Sequence, residues 1–192
     1  MAFLSRQQLK KFNFKYLGKD VTVSDKASFY NSKNISIGDF SRIDDFCVLS
    51  AGKKGILIGA NVHIAVYTSL IGRGRIIIDD FANLSSRISV YSSNDDYSGK
   101  YMTNPTIPEQ FTNVQHSDVY IGRHVIIGSG CIILPNVRIE EGACIGSLSL
   151  IKEDCKSFGI YAGIPAKYIK DRSRNLLKIE HDYIKSLLCK KL

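Results

Sequence analysis

From residue 121 to residue 156 every sixth position starts a new copy of one pattern. Ile121, Ile127, Ile133, Ile139, Ile145 and Ile151 are all isoleucine. Four residues after each stand Val125, Cys131, Val137, Ala143, Ser149 and Cys155, all small or β-branched. A period of six fits neither an amphipathic helix nor an alternating strand. It requires flat faces of six residues, each turning one large aliphatic side chain inward at the same place. Three such faces close one triangular turn of about 18 residues in a parallel β-helix of hexapeptide repeats. One turn has no core of its own, and stacking the turns creates one.

The phase extends backwards. Ile78, Leu84 and Val90 form a turn, as do Ile58, Ile64 and Leu70, and Ile37, Ile43 and Leu49 before them, with Val23 and Phe29 in an imperfect first turn. Ser41, Cys47, Val62, Thr68 and Ala82 fill the small slots. The glycine-rich, basic insertions Gly52–Gly55 and Gly72–Gly74 read as bulges at corners. Between Val90 and Ile121 the rhythm is lost in a polar stretch with Pro105 and Pro108, and a long excursion inside a regular solenoid is more often functional than accidental. Ser5 is the expected N-cap of a short helix through Lys11, with Gly18 as its stop. Leu176, Leu177, Ile179, Tyr183, Ile184, Leu187 and Leu188 form a helical stripe, with Lys190 and Lys191 at the end favoured by the helix dipole. The expected organisation is an N-terminal cap over 1–20, a β-helix over 21–172 carrying a loop at 91–120, and a C-terminal helix over 173–192.

Composition narrows the partners. The chain has 192 residues, 44% hydrophobic and 23% charged, which suits one soluble domain with appendages. It lacks an apolar run long enough to insert into a membrane, and Met1–Lys11 lacks the apolar core of a signal peptide, so a cytoplasmic location is expected. The five cysteines show no C-x-x-C pair, which speaks against a zinc or disulfide framework. Cys47, Cys131 and Cys155 sit in small inward slots, where a thiol packs as a small hydrophobe. A net charge of +8 favours an anionic partner. The lysines are scattered, without an aromatic-interleaved basic motif, so a phosphate-bearing cofactor or nucleotide-linked substrate fits better than nucleic acid.

The hexad series followed by AGIPAKYIKDR (Ala162–Arg172) resembles the left-handed β-helix acyltransferases, the family of the galactoside, maltose and xenobiotic acetyltransferases. The resemblance covers about residues 20–172 and places the excursion at that family's active-site loop. SSNDDYSGKYMTNP (Ser92–Pro105) is similar to a branch from polysaccharide gene clusters that acetylates nucleotide-linked 4-amino-4,6-dideoxy sugars. The resemblance implies a left-handed coil, against the usual right-handed crossover. It also implies acetyl-CoA as donor, no metal, and a homotrimer with its sites in clefts between subunits. The expected activity is N-acetylation of a nucleotide-linked amino sugar for O-antigen synthesis; a sugar O-acetyltransferase and a non-catalytic trimeric scaffold are the alternatives. A γ-type carbonic anhydrase on this architecture would need three zinc-binding histidines, and the spacing of the four present does not supply them.

Acyl transfer from a thioester needs an acceptor freed of its proton, a donor for the oxyanion and a held pantetheine arm. In the galactoside and maltose enzymes a loop histidine is the base, and Asn94 or Asp95 takes its place here. Asp95 and Asp96 are then candidates, as is His63, predicted to point outward from a coil face, and His116 at the loop's return. His63 of one subunit and Asp95 of the next are expected to meet, the carboxylate fixing the imidazole tautomer. An amine, partly neutral near pH 7–8, asks less of a base than a hydroxyl does, which favours N-acetylation. His124 and His181 read as structural. Asn94, Tyr97, Tyr101, Asn104 and Thr106 are candidates for holding a sugar or base. For the cofactor, the resemblance assigns backbone contacts to Gly128 and Ser147, and cations near the phosphates to Lys152, Lys167 and Lys170.

Overall fold

The computed structural model, described for residues 2–189, is a left-handed parallel β-helix with three flat faces. Face one stacks Tyr16–Leu17, Ile35–Ile37, Ile56–Ile58, Ile76–Ile78, Val119–Ile121 and Arg138–Ile139. Face two stacks Thr22–Val23, Arg42–Ile43, His63–Ile64, Asn83–Leu84, Ile126–Ile127 and Cys144–Ile145, and ends in the antiparallel hairpin Gly159–Gly163 with Ala166–Asp171. Face three stacks Ser28–Tyr30, Val48–Ala51, Ser69–Gly72, Ser89–Tyr91, Ile132–Ile133 and Leu150–Ile151. Every pairing between successive coils is parallel, so each outward side chain sits directly above its counterpart one turn earlier.

The in-phase isoleucines form the core: Ile121, Ile127, Ile133, Ile139, Ile145 and Ile151 are at most 2% exposed. The small slot lies beside a corner, where its polar occupants serve the backbone. Ser41 Oγ donates to Gly59 O at 2.7 Å and accepts from Val62 N at 3.0 Å, and Ser149 Oγ donates to Gly146 O at 2.7 Å. The third residue after many of the inward aliphatics turns its corner in the left-handed region, as at Phe40, Phe46, Asn61, Tyr67, Phe81, Arg87, His124, Asn136 and Leu148. Steric cost at these positions is modest for Asn and higher for bulky residues, so the regular coil imposes it at fixed intervals.

The N-terminal helix Arg6–Lys10 begins at a capping box of Ser5 and Gln8 and lays Leu9 over the open end, where Phe12, Phe14 and Phe29 cluster. Gly18 does not stop this helix. It follows the first rung of face one, packed so tightly on Asp39 that a Cβ would come within 2.4 Å of that backbone. The C-terminal helix Asn175–Cys189 runs back along the corner between faces one and two, toward Asn61 and Phe81. Lys190 and Lys191 lie outside the described residues.

The excursion leaves after Tyr91 and returns at Val119, which pairs with Ile76 as if nothing intervened. It emerges at the corner between faces three and one, the corner that also carries both glycine-rich insertions. It has structure of its own. Ser93–Asn94 pairs antiparallel with Gln115–His116, Met102 bridges Thr112, and Glu109–Phe111 makes a 3-10 turn.

Candidate active site

The basic insertions are the platform on which the loop stands. Arg73 pairs with Glu109 across the loop, and its N–H donates to Ser93 Oγ at 2.8 Å. Lys54 Nζ lies 3.0 Å from Asp118, and the Arg75 N–H donates to the same carboxylate oxygen at 2.9 Å. Both acids are held below the ordinary carboxylate range, Glu109 chiefly by its bond from Arg73 and Asp118 chiefly by the Arg75 N–H. Gly72, at φ 143°, lies against Ser92, where a Cβ would stand 2.3 Å from the hydroxyl. Loop and platform enclose a cleft of about 670 Å³ lined by Asp95, Asn104, His116, Arg73 and Ile71 among others.

Inside the loop the candidate residues separate into builders and free groups. Asp96 Oδ1 accepts from Ser98 N at 2.8 Å and Ser98 Oγ at 2.5 Å, and its other oxygen accepts from Asn113 at 3.1 Å. These bonds, the Ser98 hydroxyl's first, depress its carboxyl pKa. Asn104 Oδ1 accepts from Thr106 N at 2.9 Å and Thr106 Oγ1 at 2.6 Å, closing an Asx turn. His116 Nδ1 meets Ser93 Oγ at 2.8 Å and pins the loop's base. Asp95 is different. It is exposed, lines the cleft and makes no hydrogen bond or ion pair among the described residues. Asn94 lies in the loop hairpin, while Tyr97 and Tyr101 stand out from the loop, Tyr97 at 86% exposure.

His63 does point outward on face two, as its phase predicts. The parallel registers stack it between Arg42 below and Asn83 above, with Ile126 and Cys144 higher on the same column. Its Nε2 lies 2.9 Å from Asp44 Oδ2, and its Nδ1 lies 3.1 Å from Asn83. Arg42 Nε donates to the other Asp44 oxygen at 2.7 Å. The Asp44 side chain is 7% exposed against 41% for His63. Within the chain, the carboxylate that meets this imidazole is Asp44.

Sequence reasoning overlooked Asp44, although a signal was present. It follows inward Ile43, and the corresponding positions on later coils are Ala65, Ser85, Gly128 and Gly146. An acid stands in a column otherwise reserved for small residues.

At the far end, Gly128 lies so close beneath Ser147 that a Cβ would meet its backbone N at 2.5 Å. The Gly128 N–H is committed to Ile145 O at 2.8 Å, which leaves its carbonyl for a ligand, and Ser147 is exposed. Lys152 and Lys167 line one small cleft of about 190 Å³ with Tyr161 and Tyr168. Lys170 sits on the outer strand of the closing hairpin, paired with Ile160, and does not line that cleft. Lys156, which the sequence did not single out, stands 3.9 Å over the Tyr168 ring and 3.2 Å from Asp171, the carboxylate that raises its pKa. His124 is structural. Its Nε2 meets the buried Glu180 of the C-terminal helix at 2.8 Å, Arg123 pairs with the same carboxylate, and burial lowers the imidazole pKa. Among the described residues no group of three or more His, Cys, Asp or Glu is placed to hold a metal ion.

Comparison with known proteins places this geometry. The bacterial transferase hexapeptide family, six repeats, matches residues 118–153. A dTDP-4-amino-4,6-dideoxy-D-glucose acyltransferase of Escherichia coli is 57% identical over 180 residues, 94% of each chain. The crystal structure of AntD, an N-acyltransferase from Bacillus cereus, in complex with dTDP and 3-hydroxybutyryl-CoA, is 46% identical; 96% of this chain covers 97% of that one with a TM-score of 0.92. A maltose O-acetyltransferase from Clostridium difficile shares the fold at 20% identity, with a TM-score of 0.58 over 88% of this chain and 75% of the other. The chain is an acyltransferase and belongs to the hexapeptide-repeat family of the dTDP-4-amino-4,6-dideoxyglucose acyltransferases.

Proposed function

We propose that the enzyme moves an acyl group, acetyl being the expected one, from coenzyme A to the amino group of dTDP-4-amino-4,6-dideoxyglucose. The observation that carries this is the E. coli relative, aligned over 180 residues, a span too long to leave out the loop. AntD adds to it, having been crystallised with dTDP-4-amino-4,6-dideoxyglucose and coenzyme A in variants altered at one serine. The work of the chain is a homotrimer's. Face two of one subunit and the loop of its neighbour enclose the acceptor, and pantetheine passes over the column of Ile126 and Cys144 toward Gly128 and Ser147. Lys152 and Lys167 receive phosphates, with Lys170 and Lys156 nearby. The setting is the cytoplasm, and the product feeds a cell-surface polysaccharide such as O-antigen. No helix among the described residues is long and apolar enough to cross a membrane.

The chemistry is compact. The neutral amine attacks the thioester carbonyl, the carbon–sulfur bond breaks as the tetrahedral intermediate collapses, and the proton lost by nitrogen leaves with the thiolate as free thiol. Asp95, with no partner among the described residues, holds the amine through a charge-assisted hydrogen bond until it is deprotonated. Tyr97 and Tyr101 offer ring faces to the sugar nucleotide. Wild-type enzyme given acetyl-CoA and dTDP-4-amino-4,6-dideoxyglucose is expected to yield a dTDP-sugar heavier by one acetyl group in the mass spectrum. Acetylation only of a sugar lacking the amine would establish O-transfer instead. Absence of thermal stabilisation by acetyl-CoA would overturn acetyl-CoA as the donor.

A further inference from the structure

The wall carries a polar chain that the reaction as written does not use: Arg42, Asp44, His63 and Asn83 in consecutive contact, with distances of 2.7, 2.9 and 3.1 Å. We propose that His63 is a positioning residue rather than the base, and that Asn83 is the group of the wall that meets the acceptor amine. The inference rests on the reading above, in which face two borders the acceptor.

Hydrogen-bond inventory carries the argument. A carboxylate only accepts, so Asp44 requires the proton on Nε2 of His63. Arg42 occupies the second Asp44 oxygen, and the carboxylate is 7% exposed, so it has little freedom to turn away. A neutral imidazole protonated at Nε2 keeps only a lone pair at Nδ1, and that lone pair needs a donor. Asn83 is the residue in reach, and its amide has one donor end and one acceptor end. In the drawn orientation Oδ1 faces Nδ1 at 3.1 Å, two acceptors together unless the ring is doubly protonated. With neutral His63 the amide turns by half, Nδ2–H donates to Nδ1, and Oδ1 faces outward. Asp44 thus decides, through the imidazole, that Asn83 shows an acceptor to the cleft. An outward carbonyl oxygen suits the N–H groups of an amine. His63 spends both nitrogens inside the wall and has no lone pair left for a substrate proton.

The surroundings point the same way. Asn83 and His63 are half-buried, and the next residues up the column are Ile126 and Cys144. The polar part of the wall is thus confined below an apolar part, as a boundary between a sugar amine and a thioester arm would require.

Glutamine separates positioning from base catalysis, because its amide can donate to Asp44 and accept from Asn83 but cannot take a proton. Asn83→Ala is expected to lower kcat/KM for the amino sugar about 50-fold, in line with losing a hydrogen bond to a charged group, with the KM for acyl-CoA unchanged. His63→Ala should match it, the double variant should lose no more than either, and His63→Gln should stay within about tenfold of wild type. His63→Gln as inactive as His63→Ala, or Asn83→Ala at the wild-type rate, overturns the proposal. Imidazole nitrogen NMR tests it without any substrate. His63, assigned by its loss in His63→Gln, should show a protonated Nε2 and a bare Nδ1 at mildly alkaline pH. The opposite tautomer overturns the inference even if the acceptor proves to be another sugar. Failure of the wild type to acetylate the amino sugar, with the expected tautomer present, counts against the functional reading alone.

Discussion

His63 and Asp95 carry candidate chemistry in opposite settings. His63 stands on a coil, where the register fixes its height and direction and two neighbours, Asp44 and Asn83, hold its ring nitrogens. Asp95 stands on a loop raised from a corner, with its carboxylate unclaimed among the described residues and open to the cleft. A parallel coil places side chains accurately because its rungs are held in register by backbone ladders, but the same stacking ties neighbouring polar groups to one another. A loop saturates only the residues that build it. Asp96 and Asn104 are consumed in that way, His116 through Nδ1 alone, and Asp95 is spared. Supply of a free functional group thus falls to the loop, and supply of a fixed surface to the coil.

The sharpest way to break this comparison is to damage each region and read both stability and turnover. Ile133→Ala on the coil removes a fully buried side chain and is expected to cost about 3 kcal/mol in denaturant unfolding, while the protein that remains folded keeps its KM for the amino sugar. Asp95→Asn on the loop should do the reverse. Its melting temperature should match wild type, and kcat/KM for the amino sugar should fall about 100-fold, as expected when a charge-assisted bond to an ammonium is lost. A melting temperature lowered in Asp95→Asn as in Ile133→Ala would show that the carboxylate is structural.

The same division explains what could be read from sequence. Inward positions obey one rule of spacing, so Ile37, Ile58 and Ile78 could be placed through two insertions, and the outward direction of His63 followed from its neighbour Ile64. The insertions themselves read as mere bulges, because nothing in a sequence tells that Arg73 will meet Ser93, or Arg75 meet Asp118, across the loop's base. The parting of Asp95 from Asp96 was equally hidden. Both are acids in adjacent positions, and only the turn to Ser98 and the reach of Asn113 assign the structural part to the second. Asp44 could have been found by comparing columns six residues apart rather than only the inward one. The exposed side chains Ile179, Tyr183 and Ile184 show the limit for the C-terminal helix. Its periodicity was legible, but the helix is pinned through Glu180 to Arg123 and His124, and much of the stripe stays in contact with solvent.

Asp96 offers a gentler test within the loop. Its pKa is lowered in the folded loop, so its contribution to loop order is full above the unfolded value of 3.8 and is lost as pH falls through the folded value. Amide exchange at Ser98 should therefore stay protected through mild acid and quicken only below the ordinary carboxylate range. Asp96→Ala should show that faster exchange at neutral pH, with turnover reduced about tenfold as the loop loses order, and global stability close to wild type. Loss of activity equal to that of Asp95→Asn would mean that both acids touch the acceptor.

The smallest effect belongs to the coil's thiols. Burial raises the pKa of Cys47 to about 11 and that of Cys155 to about 12, and raises Cys131 as well. Thiolate is the reactive form, so at neutral pH these three sulfurs are protonated as well as shielded. A soluble alkylating reagent on native enzyme should leave all three unlabelled. Half-exposed Cys144 is the instructive contrast, because it lies on the column of His63 and Asn83. If pantetheine covers that column, acetyl-CoA should slow the labelling of Cys144 and the amino sugar alone should not. Labelling of Cys144 at one rate with and without acetyl-CoA would place the arm on another face and move the wall of the site with it.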